Sequence, residues 1–492
     1  MEYIKDRHFY FLVVILGAVF VVNFIKISSI MQYFPLHSFT DGTGYIGRLT
    51  LLIKYGYHGF APNWYNGFIV LKHYAPGWFF FTLPIYWLTK NVLISTFISM
   101  LVSYIFSLIF FILLGRSFNL SIIKSISFFL LFYLSPTAFV NFFILGRPPE
   151  LLAITIFILG FVLIYKVKTW NTRNLILFFL FFSLLSLQQQ GVTVLFTFLV
   201  AGLLLTLTWQ KRFYIVLGML GAMLLSSFWW IPFLDYKGTG VELITGIGLD
   251  NFISIGSLIT LIFLVSFYFY WNGRHRNKRD LLFFSPILVI AVLYLTRIVA
   301  FMPFFNKIWP NSYNLFFSFL TIFFILRTDF QPNIKKMITI GLYIVPLLFL
   351  LIPVIYPVQS FEYNDVDKET LSIFKDINDR MLIVYTNDTS ISTRSLVAYA
   401  TLHHNVTTPD GWGEFSVSKD LFKKVESAKY IENKSCADIQ KSFNELKIKQ
   451  IVGLSNACTI LSDCGYIYKI KKENVCLFQS TIDYKKVYNI NG

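Results

Sequence analysis

The stretch HSFTDGTGYIGRLTLLIKYGYHGFAPNWYNGFIVLKHYAPGW, residues 37–78, decides how the rest of the chain is interpreted. It follows a first hydrophobic segment, and it is far too polar to cross a bilayer. It holds one carboxylate, Asp41, among glycines, aromatic residues and bases. Irregular polar backbone is not tolerated in lipid, so a long loop of this kind lies at the membrane surface, where chemistry can take place.

The composition of the 492-residue chain is that of a multi-pass membrane protein, because 56% of residues are hydrophobic and only 14% are charged. The net charge of +16 would suit nucleic acid, but its location argues against that partner. Residues 1–357 hold 25 Lys and Arg against 9 Asp and Glu, whereas residues 358–492 hold 17 of each. The excess therefore belongs to short loops between spans, where it sets topology. We expect no nucleic-acid partner.

Apolar runs of about 16–23 residues predict about eleven transmembrane helices, near the length that crosses a hydrocarbon core. The predicted spans are 9–30, 92–114, 122–144, 150–165, 174–190, 191–209, 213–234, 253–272, 281–300, 312–327 and 337–357. With the N-terminus in the cytoplasm, the cytoplasmic segments hold 16 Lys and Arg and the short outer loops hold 3. This bias predicts a multi-pass plasma-membrane protein with a cytoplasmic N-terminus and an extracytoplasmic C-terminal domain.

Residues 31–91 then form one long first external loop. Its segment 75–88 is apolar but short and broken by Pro76 and Pro84, which predicts an interfacial or re-entrant element and not a span. Counting this segment as a span would place every later loop on the opposite side of the membrane. The basic residues would then no longer favour the cytoplasmic segments.

From about residue 358 the composition changes to regular charges and short apolar runs, which predicts an extracytoplasmic α/β domain at 358–492 after a membrane domain at 1–357. Strands are predicted at 380–388, 395–406 and 447–456, with a hairpin over 464–478. The segments DKETLSIFKDIND and CADIQKSFNELKIK have helical spacing. The four cysteines all fall in this region, so one or two disulfides are favoured over zinc, with the pairing left open.

Two acids on separate outer loops are the candidates for chemistry. Asp41 lies in FTDGTGYIGR, although Asp-Gly is also a common turn pair. Glu150 follows GRPP at the start of a span, where it would also suit the helix dipole. An ionisable residue at the membrane edge is a functional candidate by default. Asp41 and Glu150 could together hold a divalent cation, Mg or Mn, or one could act as a general base.

The candidate substrate-binding residues are basic or aromatic side chains that would face the same side. Arg297 and Lys307 suit a lipid phosphate, although snorkelling to headgroups would explain Arg297 equally well. Trp64 could stack on a sugar ring, although aromatic residues also mark membrane interfaces. The other candidates for contact with phosphate or sugar are Arg147, His37, Lys72 and His73.

Several short motifs together resemble the GT-C superfamily of membrane glycosyltransferases. They are FTDGTGYIGRLTLLIKYG (39–56), NWYNGF (63–68), HYAPGW (73–78), GRPPELLA (146–153) and FWWIPFL (228–234). The order of a first span, a long outer loop with an acid and a second acid at a later loop end adds to the likeness. The chain looks most like the prokaryotic 6-pyruvoyl-tetrahydropterin synthase-related membrane proteins, akin to oligosaccharyltransferase catalytic subunits and protein O-mannosyltransferases.

The resemblance implies transfer of a sugar from a polyprenyl-phosphate-linked donor to a glycan, lipid or protein acceptor on the extracytoplasmic face. It makes Asp41 the first-motif acid and Glu150 the second, with Arg297 or Arg147 at the donor phosphate. The family's Asp-x-Asp motif is absent at Asp41, and so is the Trp-Trp-Asp motif of the oligosaccharyltransferases. Two other classes keep the same spans and basic loops: a transporter or flippase, and a noncatalytic cell-envelope glycan assembly protein.

Overall fold

The computed structural model describes residues 6–166, 170–234, 255–273, 276–303, 305–328, 332–389, 391–412 and 418–482. The helices before residue 357 are α1 (Arg7–Ser28), α2 (Thr40–Tyr55), α3 (Gly77–Thr89), α4 (Val92–Ser117), α5 (Ile122–Tyr133), α6 (Pro136–Phe139), α7 (Pro148–Lys166), α8 (Thr172–Ser186), α9 (Gln190–Thr206), α10 (Trp209–Leu225), α11 (Ser227–Leu234), α12 (Ile255–Gly273), α13 (Lys278–Leu295), α14 (Pro310–Arg327), α15 (Pro332–Phe349) and α16 (Ile352–Ile355).

Each of the eleven predicted spans contains a helix. Among the described residues, five helices are long and apolar enough to cross a membrane, or up to seven if two bent pairs each count as one span. The remaining predicted spans are helices that are shorter or more polar, such as the 15-residue α8 and the charged start of α13. A polytopic helical membrane protein is therefore observed, and the count of eleven stays a prediction.

One bent pair positions the candidate site. The helix Ile122–Tyr133 and the segment Pro136–Ile144 meet at 64°. Pro136 stands at the break, and proline cannot continue a helix because it lacks the N–H and clashes with the preceding turn. The segment continues as a π-helical turn, Val140–Ile144, a form that often occurs at functional sites.

The first external segment is more regular than a loop. Residues 40–55 form α2, although TDGTG predicted irregular backbone, because glycine disfavours helix by about 1 kcal/mol. A small antiparallel hairpin joins β1 (Phe60–Ala61) to β2 (Phe68–Ile69). The apolar segment predicted to be interfacial is the 13-residue helix α3, which packs against α4.

The C-terminal region is built on a four-stranded sheet of order β3-β4-β6-β5, in which only β3 and β4 are parallel. Its elements are α17 (Asp365–Ser372), β3 (Met381–Val384), α18 (Thr393–His403), α19 (Lys419–Lys429), α20 (Cys436–Glu445), β4 (Gln450–Leu454), α21 (Ala457–Asp463), β5 (Tyr466–Lys471) and β6 (Val475–Ile482). Disulfides join Cys436 to Cys464 and Cys458 to Cys476.

The predicted strand at 395–406 is wrong, because residues 395–403 belong to α18, which ends at His403. Ser392 caps the helix by accepting a hydrogen bond from the Ser395 N–H (3.4 Å), and Leu396, Val397 and Ala400 are buried. The helix lies against α2: the Thr43 and Ser395 hydroxyls are 3.4 Å apart. The C-terminal region thus contacts the helix that carries Asp41.

Candidate active site at the start of α2 and α7

The N-terminus of α2 is docked on the turn that precedes α7. The Phe39 N–H donates to the Ile144 carbonyl (2.8 Å), and the Asp41 and Gly42 N–H groups donate to the Leu145 carbonyl (2.9 and 3.0 Å). These bonds satisfy N–H groups that the first turn of a helix leaves without an intrahelical partner. The docking brings Asp41, in the first turn of α2, opposite the residues that open α7.

Gly146 allows this close approach. Its φ is +67°, a conformation that side chains other than glycine adopt rarely, and a Cβ there would lie 2.4 Å from the Phe39 ring. Phe39 is itself fully buried and has a φ of 62°. The glycine before Arg147 therefore serves the packing of two chain segments.

The two predicted acids meet on one arginine. Arg147 Nε donates to Asp41 Oδ2 at 2.5 Å, and Arg147 Nη1 lies 3.8 Å from a Glu150 carboxylate oxygen. The Arg147 guanidinium is also 5.6 Å from the Trp309 ring centroid. Burial lowers the pKa of Arg147, but the Asp41 and Glu150 carboxylates outweigh it and raise the pKa above its ordinary value. The cluster therefore holds a permanent cation between two acids.

The two acids differ in exposure. The Asp41 side chain is 26% exposed and that of Glu150 only 2%. Glu150 accepts hydrogen bonds from Asn141 Nδ2 and Ser312 Oγ, both at 2.8 Å. Asp41 is thus accessible to a ligand, whereas Glu150 is buried and forms an ion pair with Arg147.

A second layer fixes this network. Asn141 belongs to the π-helical turn and is completely buried, and its Oδ1 accepts a hydrogen bond from Asn311 Nδ2 at 2.8 Å. Asn311 and Ser312 both lie in the first turn of α14. Sequence reasoning missed Asn141, Ser312, Asn311 and Trp309, because each is an isolated residue whose partner is distant in the chain.

Behind Asp41, α2 carries an aromatic and cationic cluster. The Tyr74 hydroxyl donates to the Tyr45 hydroxyl (2.7 Å), and burial raises the pKa of both, that of Tyr74 to about 12. The buried Arg48 guanidinium lies 4.7 Å from the Tyr74 ring and 5.2 Å from that of Trp412, and it donates to the Trp412 carbonyl (2.9 Å). Trp412 therefore links the C-terminal region to α2.

Other predicted binding residues lie outside this cluster. Arg297 is 4% exposed and donates to Ser257 Oγ of α12 at 2.9 Å, so it is held among helices. Trp64 is fully buried, and its indole N–H donates to the Thr401 hydroxyl (2.7 Å), which leaves no ring face for a sugar. His37 Nε2 pairs with Asp367 Oδ1 at 2.8 Å and joins the loop to the C-terminal region.

The remaining predicted binding residues are Lys72, His73 and Lys307. Lys72 and His73 are half-buried between β2 and α3, and the Lys72 charge helps to lower the pKa of His58 after the larger effect of burial. Lys307 ends the short turn Phe305–Lys307, and its side chain lies outside the described part of the chain.

The predicted divalent cation does not fit the residues that the structure describes at this site. Arg147 bridges the Asp41 and Glu150 carboxylates, and a guanidinium repels a metal ion. Mg²⁺ is usually held by one or two carboxylates together with water and phosphate oxygens, whereas here Arg147 occupies Asp41 Oδ2 and Glu150 already accepts two hydrogen bonds. Across the described ranges, no group of three or more His, Cys, Asp or Glu could hold a metal ion.

Comparison with solved structures shows the fold. ArnT from Cupriavidus metallidurans matches with a TM-score of 0.54 at 11% identity, over 95% of this chain and 98% of that one. The mycobacterial arabinofuranosyltransferase AftD matches with a TM-score of 0.55 at 14% identity, over 98% of this chain and 40% of AftD. No protein-family model and no curated protein sequence matches the chain.

A third neighbour is the archaeal oligosaccharyltransferase AglB from Archaeoglobus fulgidus, in complex with an inhibitory peptide and a dolichol-phosphate. It matches with a TM-score of 0.51 at 10% identity, over 96% of this chain and 74% of AglB. These neighbours are GT-C glycosyltransferases. The chain therefore has the fold of GT-C membrane glycosyltransferases, the class expected from its sequence motifs. Identities this low show the fold alone, because one fold hosts many functions.

Proposed function

We propose that this protein is a membrane glycosyltransferase that moves a sugar from a polyprenyl-phosphate-linked donor to an acceptor hydroxyl. The observation that carries the proposal is the pair of Asp41 and Arg147, an accessible carboxylate bonded at 2.5 Å to a guanidinium within a GT-C fold. A carboxylate and a cation are the two groups that such a transfer needs: one for the acceptor proton and one for the leaving phosphate.

Asp41 is the group proposed to take the acceptor proton. Its Oδ2 atom accepts from Arg147, and Oδ1 remains for an acceptor hydroxyl. As the acceptor oxygen attacks the anomeric carbon, its proton passes to Asp41, the bond from that carbon to the phosphate oxygen breaks, and the phosphate leaves with the electron pair. General-base assistance of this kind contributes about 10²–10⁴-fold to a rate.

Arg147 is the group proposed for the leaving phosphate. A guanidinium has five N–H donors in a planar fork, and the two carboxylates engage only part of it. Trp309 is 42% exposed beside it and can cover a sugar or lipid group held there. Glu150 is a positioning residue in this scheme, since hydrogen bonds from Asn141 and Ser312 hold it and it forms an ion pair with Arg147 at 3.8 Å.

The finer parts of the proposal rest on the sequence. The proposed cytoplasmic segments hold 16 basic residues and the short outer loops hold 3, which supports transfer on the extracytoplasmic face and a cytoplasmic N-terminus. The dolichol-phosphate in the AglB complex supports a polyprenyl donor. The narrower likeness to 6-pyruvoyl-tetrahydropterin synthase-related proteins and the division at residue 357 remain proposals.

The test is release of polyprenyl phosphate by the purified protein from a panel of polyprenyl-phosphate-linked sugars, with glycan, lipid and peptide acceptors. Wild type should release the lipid phosphate and label an acceptor. Asp41→Asn should lower turnover about 10²–10⁴-fold, because the amide cannot take the proton.

The matched control is Asp365→Asn, which removes the charge of a carboxylate that is 98% exposed, and its turnover should equal wild type. Asp41→Asn with wild-type turnover would remove the assignment of the base. A wild-type protein that moves the lipid-linked sugar across a bilayer without releasing lipid phosphate would favour a flippase instead.

A further inference from the structure

We propose that a cavity within the helical bundle binds an anionic membrane phospholipid, with the acyl chain inside and the phosphate at Lys124. The cavity has a volume of about 590 Å³ and lies among α1, α5, α12, α14 and α15. That volume is in the range of about 300–1,000 Å³ that is usual for ligand pockets.

The lining selects a hydrocarbon occupant. Apolar side chains dominate it, and Ile262 and Val265 on α12 are 45% and 47% exposed, so the cavity opens on the outer surface of the bundle. Apolar cavities stay dry, and an unfilled void forfeits the close packing typical of protein interiors. Next to a bilayer, the available filler is a lipid chain.

Gly341 on α15 keeps the space open. It lines the cavity, and a Cβ added there would have nothing within 4 Å. Thr321 on α14 also lines the cavity, and its buried hydroxyl has no hydrogen-bond partner among the described residues. A buried hydroxyl without a hydrogen-bond partner costs free energy. The ester carbonyl of a bound phospholipid would remove this cost by accepting a hydrogen bond from Thr321.

One end of the cavity is basic. Lys124 lies in the first turn of α5 and lines the cavity, and Arg327 and Lys335 are the chain neighbours of the lining residues Thr328 and Ile334. Lys124 Nζ is 3.2 Å from Asp6, whose side chain is 44% exposed, so a phosphate can share the ammonium group. Basic side chains at a membrane surface attract anionic headgroups.

The cavity is separate from the proposed transfer site. Asn141, beyond the end of α5, bonds Asn311 at the start of α14, so these helices run antiparallel and Lys124 lies near Thr328. Ser312, which bonds Glu150, is 16 residues from Thr328, or about 24 Å along a helix. A lipid with its phosphate at Lys124 cannot present a headgroup to Asp41, which favours a phospholipid over the sugar donor.

Native mass spectrometry tests this inference by counting the lipids that stay bound to the protein. The protein is first placed in nanodiscs of phosphatidylglycerol and phosphatidylcholine and is then transferred to detergent. Wild type should keep one phosphatidylglycerol, and Gly341→Phe should lose it because the ring occupies space that the acyl chain needs. The matched control is Met337→Phe, on the same helix at a side chain that is 72% exposed, which should keep the lipid. Equal retention by wild type and Gly341→Phe, or no retained lipid in wild type, would overturn the proposal.

A second variant, Lys124→Gln, tests the proposal even if Gly341→Phe fails to fold. Lys124→Gln should lower the preference for phosphatidylglycerol over phosphatidylcholine about fivefold, the contribution of one basic side chain at a membrane surface. An unchanged preference would contradict the assignment of the phosphate to Lys124. With polyprenyl phosphate added to the nanodiscs, its retention in place of phosphatidylglycerol would show a donor site and overturn the proposal.

Discussion

Two ionic clusters in this molecule each place one cation between two carboxylates, but they differ in exposure. Arg147 holds Asp41 and Glu150 at the starts of α2 and α7, and Lys429 holds Asp410 at 3.1 Å and Glu426 at 2.7 Å in the C-terminal region. In the second cluster Lys429 and Asp410 are 1% and 3% exposed and only Glu426, at 33%, reaches the surface, whereas Arg147 and Asp41 are 14% and 26% exposed. The pair of Lys429 and Asp410 is therefore closed, and we call this the closed cluster, whereas in the pair of Arg147 and Asp41, the open cluster, both the cation and the acid are accessible.

The cations differ as well. Lysine is a point charge with three donors, and Lys429 is fully enclosed by its partners. Arginine presents a fork of five N–H groups that suits a phosphate while it remains bonded to a carboxylate. The comparison indicates that an ion pair is a candidate for chemistry when its acid is open and its cation has donors to spare. The following variants test that distinction.

The largest effect on stability should come from Asp410→Asn. Asp410 is buried, and removing one partner of a buried ion pair leaves the other charge poorly compensated, at a cost of about 3–5 kcal/mol. Thermal unfolding in detergent measures the loss, with Asp365→Asn as the exposed control. An unchanged melting temperature would show that the closed cluster does not support the fold.

Arg147→Lys should weaken activity with little loss of stability. Lysine keeps the charge but not the fork, so the hydrogen bond to the donor phosphate or to Asp41 is lost, which corresponds to about 10–100-fold in kcat/KM. The steady-state rate of lipid-phosphate release measures it across donor concentrations. Lys429→Arg, at the closed cluster, is the matched exchange and should leave the rate per folded molecule unchanged.

Gly44→Ala should disturb the joint between α2 and the C-terminal region. A Cβ at Gly44 would lie 1.8 Å from the Trp412 ring, so the ring must shift, at a cost of about 1–3 kcal/mol. Gly218→Ala is the control, because its Cβ would be 3.4 Å from the nearest atom of Phe178. Equal melting temperatures for the two variants would contradict the close packing of Trp412 on α2.

The smallest effect is a pH dependence of the closed cluster. Burial lowers the pKa of Lys429, but Asp410 and Glu426 outweigh it and raise the pKa above 10.5. The folded state therefore holds this proton more tightly than the unfolded chain. Its contribution to stability is complete below pH 10.5 and is lost as the pH rises through the higher pKa of the folded state. Alkaline unfolding curves of wild type and Lys429→Met should differ in this range and in this direction.

The sequence predicted the helical membrane architecture because apolar runs of span length are long and unambiguous. It also predicted β3, β4 and the hairpin of β5 and β6, which have polar ends and short apolar centres. It missed α2, whose glycines disfavour helix until Phe39, Trp412 and Trp64 pack against them. Such tertiary packing is invisible in local propensity.

The candidate site was predicted in part. Asp41, Glu150 and Arg147 were named from their places in the chain, and the structure brings all three together. Arg297 was named from its place in a predicted span and Trp64 from its place in the first external loop, and both are buried in other contacts. The support from Asn141 and Ser312 depends on how a bent helix and the start of α14 meet, which no short pattern records.

The most direct test of the central claim compares Asp41→Asn with Asp410→Asn for lipid-phosphate release and melting temperature in the same preparation. The open cluster should lose about 10²–10⁴-fold in turnover and keep its melting temperature. The closed cluster should lose stability and keep its turnover per folded molecule. Full turnover by Asp41→Asn would contradict the proposal that the accessible carboxylate at Arg147 is the catalytic base.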